Sequence, residues 1–234
     1  KFNAVEPAEA FLKDCLGAEF SVASIETKPG TRNPGAPFTT STLQQEASRR
    51  LGYGVKQTMV LAQRLYENGH ITYMRTDSVN LSGLAIGSIG DYIKSSFGES
   101  YHQVRQFKTK SSGAQEAHEA IRPTHIDRLK AGDDPRQEKL YQLIWQRAVA
   151  SQMAPAKTDK TEVSIGISTR KELLKATGEM LVFDGFLKVY GGGKDDSLLP
   201  PLSKGQVLPL LSMMGRQTYN RAPARYSEAS LVKT

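Results

Sequence analysis

Apolar residues recur every three or four positions through most of the first two thirds of the chain. Where such a run begins at a capping residue or stops at glycine or proline, it predicts an amphipathic helix. Five segments fit this description: 7–16, 41–51, 55–67, 82–97 and 136–153. A stretch rich in small polar residues, 108–115, predicts a loop within this helical block.

The helices at 41–51 and 55–67 are separated only by the short sequence "GYG". Asn68-Gly69 is typical of a helix end, and a short strand is expected directly afterwards at 71–74. Helix, short turn, helix and strand is the outline of a helix-turn-helix or winged-helix unit, although many helical hairpins share it.

Two local features of this helix pair are also predicted. Ser41, followed three residues later by Gln44, predicts a capping box at the start of the first helix. One apolar stripe is expected on the second helix, formed by Val55, Met59, Ala62 and Tyr66.

The last third of the chain changes to β patterning. Apolar and polar residues alternate over 163–167, which is typical of a half-buried strand. The segment 173–190 predicts a hairpin with turns at Thr177-Gly178 and Asp184-Gly185. Two further strands are expected, at 20–27 and 207–211.

These patterns predict an α+β protein, in which a mainly helical domain with a helix-turn-helix or winged-helix-like unit is inserted into a mainly β domain. Proline-containing connections, at 28–38 and at Pro155, flank the helical block. The expected parts are a discontinuous β-rich domain at 1–34 and 157–220, a helical domain at 35–156, and the start of a further helical domain at 221–234.

The composition, 38% hydrophobic and 24% charged, is that of an ordinary folded protein. No apolar run is long enough to cross a bilayer, so no membrane partner is expected. The single cysteine, Cys15, excludes an internal disulfide and fits a reducing compartment. The chain does not start with Met, which indicates a fragment or a processed chain.

The net charge is +7, and the basic excess is concentrated between residues 28 and 75. Only Glu46 and Glu67 oppose it there. The basic residues of this stretch are Lys28, Arg32, Arg49, Arg50, Lys56, Arg64 and Arg75. A nucleic acid is one partner for such a cluster, and a solvated basic face is the other interpretation; charge alone leaves both open.

Metal and nucleotide motifs are missing from the sequence. The histidines, His70, His102, His118 and His125, occur in no metal-binding spacing, and there is no H-E-x-x-H, cysteine pair or D-x-D. "GGGK" is followed by Asp195 where a P-loop has Ser or Thr. We therefore expect no metal site in this chain.

Tyr73 and Arg75 form a candidate reactive pair. Residues two apart on a strand point to the same side, so both would project together. A guanidinium favours the phenolate form of a neighbouring tyrosine and also binds a phosphate. A tyrosine that attacks a phosphodiester would store the bond energy in a phosphotyrosine link. An ordinary strand tyrosine beside a solvated arginine is the commoner arrangement.

A second candidate cluster lies in "AQEAHEAIRPT" (114–124), of which "AQEAHEAI" is expected to be a short helix. On a helix, Gln115, His118 and Arg122 would share one face, and all three are phosphate-binding side chains. An ordinary polar helix is the alternative.

Three stretches together resemble the type IA DNA topoisomerases, and the bacterial ones in particular. They are "PFTTSTLQQEASRRLGYGVKQTMVLAQRLYENGHITYMRTDSVNLS", "AQEAHEAIRPT" and "APARYSEASLVK". The resemblance implies that Tyr73 attacks one DNA strand and becomes joined to its 5′ phosphate, while Arg75 stabilises the scissile phosphate. It also implies that His118 contacts the DNA backbone. Arg122 and Gln115 share its motif, and Arg64, Arg49 and Arg50 are further DNA-binding candidates.

The same resemblance implies strand passage and religation, without ATP, to relax negatively supercoiled DNA, in the bacterial cytoplasm at the nucleoid. Mg²⁺ would be bound by an acidic toprim domain to which nothing here corresponds. The chain would then form the arch of a toroidal enzyme, with the β domain as support and hinge, and would not relax DNA alone. The alternative is a non-enzymatic winged-helix DNA-binding module in which Tyr73 is structural.

Overall fold

A computed structural model describes residues 2–107, 119–192 and 197–232, which form two compact units. The elements are α1 (Val5–Asp14), β1 (Phe20–Arg32), α2 (Thr40–Leu51), α3 (Val55–Glu67), α4 (Gly83–Phe97), α5 (Pro135–Ser151), β2 (Ala156–Ile167), β3 (Arg170–Phe183), β4 (Val207–Leu208) and α6 (Glu228–Leu231), with 3₁₀ helices at Glu99–Tyr101 and Gly185–Tyr190. The predicted α+β class is confirmed. Among the described residues, none of the helices is both long and apolar enough to cross a membrane.

The β unit contains α1 and one four-stranded sheet in the order β3-β2-β1-β4. β2 and β3 form an antiparallel hairpin, and β4 pairs antiparallel with the start of β1. A small core of Cys15, Phe20 and Ile167 lies in this unit. β1 and β2 are neighbours in the sheet, although the chain between them builds most of the helical unit, which is therefore an insertion.

The predicted turn at Thr177-Gly178 is wrong, because Gly178 lies inside the β2–β3 ladder opposite Thr161. The strands instead turn at residues 168–169. A Cβ at Gly178 would lie 2.8 Å from the carbonyl oxygen of Ser197, so glycine permits the close approach of another segment here. The chain does turn at Gly185, with φ of 48°, but it enters a 3₁₀ helix.

The helical unit is built around α5, which packs against α2, α3 and α4. The predicted core residues of α5 are buried: Leu140, Leu143, Ile144 and Val149. Tyr141 and Trp145 are buried beside them and donate hydrogen bonds to the carbonyl oxygens of Arg128 and Ile126. These bonds satisfy the polar atoms of both rings, so the aromatic side chains enter the core without an unpaired donor.

The boundaries of this unit differ from those we expected. Residues 184–192 pack on the helical unit, where Phe186 and Val189 contact its core, and they do not continue the β unit. α6 also lies with the helical unit, and the hydroxyl of Ser41 donates to the carbonyl oxygen of Val232 at 3.4 Å.

α2 and α3 form the predicted helical hairpin, and Gly52 ends α2 in the left-handed conformation with φ of 69°. The predicted capping box was placed two residues too late, since Thr39 caps α2 and exchanges hydrogen bonds with Thr42. The apolar stripe predicted for α3 was assigned to the wrong face of the helix, apart from Ala62. The buried residues are Thr58, Leu61, Ala62 and Leu65, so the two leucines face the core and Tyr66 faces outward.

The strand predicted at 71–74 is wrong. Only Ile71 makes a bridge, to Pro123, and proline has no N–H with which to continue a ladder. Beyond this bridge, threonine hydroxyls and isolated backbone hydrogen bonds hold the chain in place of a ladder. The helical hairpin is therefore followed by an irregular extended segment and not by the strand of a winged helix.

Candidate functional site

Tyr73 lies in the middle of this irregular segment. Burial alternates along it: Met74 and Thr76 are 4% and 8% exposed, whereas Tyr73 is 43% exposed and Arg75 is also exposed. The two candidate residues therefore project together, as we predicted, although no strand ladder holds them, and the side that they share is exposed to solvent. Met74 and Thr76 alternate with them and are buried, and this burial turns Tyr73 and Arg75 to the opposite side.

Thr72 anchors the upstream side of Tyr73. Its hydroxyl donates to the carbonyl oxygen of Ala120 at 2.7 Å and accepts from the N–H of Arg122 at 3.0 Å. The N–H of Thr72 donates in turn to the carbonyl oxygen of Arg122 at 2.9 Å. The structure thereby brings together two motifs that are separated by about 50 residues in the sequence.

Thr40, the first residue of α2, anchors the downstream side. Its hydroxyl donates to the carbonyl oxygen of Met74 at 2.8 Å and accepts from the N–H of Thr76 at 2.9 Å. Its own N–H donates to the carbonyl oxygen of Thr76 at 2.9 Å. A first-turn helical N–H has no partner within its helix, so α2 satisfies this donor by holding the segment.

Tyr66 is the aromatic neighbour of Tyr73. The ring centroids are 5.3 Å apart, with the planes at 66°, and Tyr66 is 42% exposed. Both rings therefore combine a fixed mutual orientation with a solvent-facing surface. Aromatic side chains of this kind stack on the bases of single-stranded nucleic acids.

Two of the predicted arginines, the catalytic candidate Arg75 and the DNA-binding candidate Arg64, are available to a ligand. Arg75 and Arg64 are exposed, and neither has a hydrogen bond or ion pair within the described part of the chain. Arg64 lies in the last turn of α3. These cations keep their full donor capacity for an anion such as a phosphate.

The other predicted arginines of the site are engaged within the protein. Arg49 and Arg50 both pair with Glu46 at 2.6 Å, and the Arg50 guanidinium also lies over the ring of Tyr190. Arg122 makes a two-pronged ion pair with Glu119, at 3.2 and 2.7 Å, and donates to the carbonyl oxygen of Pro123. Gln115 and His118 lie outside the described residues.

Glu119 joins this ion pair to the start of α4. One carboxylate oxygen accepts from the N–H of Ser82, the cap of α4, at 2.6 Å. Burial raises the pKa of Glu119, but hydrogen bonds from Arg122 and Ser82 outweigh it, so the pKa lies below its ordinary value. Glu119 is therefore charged at neutral pH and holds Arg122 as a structural partner.

No group of three or more His, Cys, Asp or Glu side chains that could hold a metal ion occurs in residues 2–107, 119–192 and 197–232. The outward side of the segment offers a phenol, guanidinium groups and aromatic rings, which suit a phosphate ester with attached bases.

Comparison with known proteins decides the family. A model of the DNA topoisomerase family matches residues 1–234, the full chain. The chain belongs to the DNA topoisomerase family. The resemblance to bacterial type IA topoisomerases that we inferred from the sequence is thereby confirmed.

Individual relatives agree with this family. The chain is 50% identical over 224 residues to DNA topoisomerase 1 of Vibrio cholerae, covering 92% of this chain and 25% of that protein. A prokaryotic-type DNA topoisomerase 1 of Acanthamoeba polyphaga mimivirus is 44% identical over 245 residues, covering 95% and 28%. The fold resembles that of full-length topoisomerase I from Thermotoga maritima, with a TM-score of 0.73, 34% identity, and coverage of 89% and 35%.

The chain thus spans about a quarter of the length of the curated topoisomerases that it matches. Reasoning from the sequence missed three residues around the nucleophile candidate: Thr40, Thr72 and Tyr66. Thr72 stands beside Tyr73 in the same motif, and Tyr66 follows the buried Leu65 on α3. Thr40 had no detectable signal, because its partners lie 34 and 36 residues away in the sequence.

Proposed function

We propose that this chain carries the DNA-cleaving tyrosine of a type IA topoisomerase, and that Tyr73 is the nucleophile. One observation supports this most directly: Tyr73 is exposed beside Arg75, which has no partner among the described residues, on a segment held by hydroxyl groups on both flanks. A nucleophile that attacks DNA must be exposed and must be held in one orientation. The anchored backbone and the exposed side chain of Tyr73 meet both requirements.

The proposed step conserves the phosphodiester energy. The Tyr73 oxygen bonds to phosphorus while the bond from phosphorus to the 3′ oxygen breaks, and the tyrosine proton is lost as the leaving 3′ oxygen gains one. The 5′ phosphate then remains on Tyr73. Arg75 would neutralise charge that develops on the phosphate oxygens in the transition state. The reverse step rejoins the strand after another strand has passed, which relaxes negatively supercoiled DNA.

Other parts of the proposal come from the family. Mg²⁺, when bound by the toprim domain that the family implies, would stabilise phosphate charge next to this site. The β unit would act as support and hinge of an arch, and α6 would lead into a further helical domain. The proposed substrate is a single-stranded segment of DNA at the nucleoid, in the bacterial cytoplasm. His118 would contact its backbone.

The test uses a chimera in which this chain replaces the matching 224 residues of the Vibrio cholerae enzyme. The chimera is incubated with a labelled single-stranded oligonucleotide and Mg²⁺, then denatured. We expect a covalent adduct that disappears in Tyr73→Phe and persists in the matched control Tyr66→Phe. An equal adduct in the parent chimera and Tyr73→Phe, or none in either, would overturn the proposal. The chain alone is expected to show no relaxation of supercoiled DNA.

A further inference from the structure

The backbone on both sides of Arg75 is held by one hydroxyl group. The Oγ1 atom of Thr40 lies 2.8 Å from the carbonyl oxygen of Met74 and 3.1 Å from that of Thr76, and it accepts from the N–H of Thr76. This hydroxyl is part-buried. Its acceptor and donor roles are therefore both filled by the segment that carries the proposed catalytic residues.

The hydrogen bonds of the Thr40 hydroxyl are not needed to cap α2. α2 is already capped by Thr39, whose hydroxyl accepts from the N–H of Thr42 and whose own N–H donates to the hydroxyl of Thr42. Thr40 takes no part in that box. Its hydroxyl makes its only hydrogen bonds in the described structure to residues 74–76.

The consequence for Arg75 is geometric. Met74 and Thr76 are buried on either side of it, so the segment must keep its present rotation for Tyr73 and Arg75 to face outward. Thr72 holds the chain upstream of Tyr73, so on the Arg75 side the rotation of this irregular segment depends on Thr40 and on the burial of Met74 and Thr76. A shift of about 1 Å in a positioning element can lower the rate of a chemical step by about 100-fold.

We propose that Thr40 is a positioning residue for Tyr73 and Arg75, and that its hydroxyl aligns both with the scissile phosphate. This inference rests on the proposed function of Tyr73. According to this proposal, Thr40 does not touch the DNA. Removal of its hydroxyl should therefore slow the chemical steps and leave the affinity for the oligonucleotide unchanged.

The test compares Thr40→Val, Thr40→Ser and Thr42→Val in the same chimera. Val keeps the shape of Thr and removes its hydroxyl, whereas Ser keeps the hydroxyl. Thr42→Val makes the same chemical change two residues later, in the capping box at the exposed surface. Adduct formation and rejoining are timed at saturating oligonucleotide, and the dissociation constant is measured separately.

We expect Thr40→Val to slow adduct formation and rejoining by about 10- to 100-fold, with affinity within about twofold of the parent. Thr40→Ser should recover most of the rate, and Thr42→Val should cleave like the parent even if its melting temperature falls. If Thr40→Val does not fold, Thr40→Ala is measured at a temperature where its circular dichroism matches the parent.

Three outcomes would overturn the inference: unchanged rates in Thr40→Val, an equal loss in Thr42→Val, or a loss that appears only as weaker affinity. Failure of the proposed function itself would look different. The parent chimera would then form no adduct that depends on Tyr73.

Discussion

Tyr66 and Tyr73 meet edge to face, with ring centroids 5.3 Å apart, although one belongs to α3 and the other to the irregular segment after it. Aromatic pairs of this geometry contribute about 0.5–1.5 kcal/mol beyond their buried area. In the chimera, Tyr66→Leu should therefore slow adduct formation by about 2- to 10-fold. Tyr66→Phe keeps the ring and should react at the parent rate.

The matched control for this prediction is Val60→Ala, a truncation of another exposed side chain on α3. It should leave the rate of adduct formation unchanged. If Val60→Ala and Tyr66→Leu slow the reaction equally, the effect comes from α3 as a whole and the ring contact is irrelevant.

The effect of replacing an arginine on the rate of adduct formation should depend on whether that arginine already has a partner within the protein. Arg75 has no partner among the described residues, whereas Arg49 is held by Glu46. Loss of one charge-stabilising donor at a reacting centre costs about 100-fold or more in rate. We expect such a loss of adduct formation at saturating oligonucleotide in Arg75→Ala, and a near-parental rate in Arg49→Ala. A parental rate in Arg75→Ala would remove this residue from the proposed mechanism.

Arg122 should behave as a structural residue. Its guanidinium makes three hydrogen bonds within the described residues, two of them to the Glu119 carboxylate, and only 18% of its side chain is exposed. Such charged hydrogen bonds contribute about 1–3 kcal/mol. Urea unfolding of Arg122→Ala should show a loss of this size. Arg49→Ala, which breaks an exposed ion pair, should lose at most about 1 kcal/mol.

Glu119 should make part of this stability dependent on pH. Its pKa in the folded protein lies below its ordinary value, so folding favours the carboxylate. The contribution is complete above the ordinary pKa of about 4.3 and disappears as the pH falls through the lower folded value. The stability difference between the parent and Glu119→Gln should therefore be largest near pH 7 and shrink below about pH 4. A difference that stays constant down to pH 3 would contradict this assignment.

Local signals were sufficient to place the helices of the candidate site along the chain, although not to identify the cap of α2 or the buried face of α3. The α3 boundaries match the predicted 55–67, because Gly54 and Asn68-Gly69 act within one turn of the helix. That Tyr73 and Arg75 share one side was also predicted, because residues two apart in an extended chain point the same way. Features of this kind depend only on residues that are close together in the sequence, so a sequence pattern can predict them.

The errors arose where a distant contact determines the structure. Gly178 looks like a turn residue in isolation, and only the approach of Ser197 explains it within a strand. Thr40 similarly looks like any helix-starting threonine until residue 76 is placed against it. A residue pattern identifies the donor and acceptor groups, but the folded chain decides which of them meet.

The glycines of α4 provide a final prediction, which concerns packing next to the site. Apart from the nearby backbone of its own helix, a Cβ at Gly87 would meet no heavy atom of the described residues within 4 Å, whereas a Cβ at Gly90 would lie 2.7 Å from Nε2 of His102. Gly87→Ala should stabilise the chain by about 0.5–1 kcal/mol, because alanine loses less backbone entropy in a helix. Gly90→Ala gains the same helix propensity but must displace the His102 ring, so it should be destabilising. Thermal unfolding of the two variants tests this directly, and an equal rise in melting temperature for both would show that His102 can move without cost.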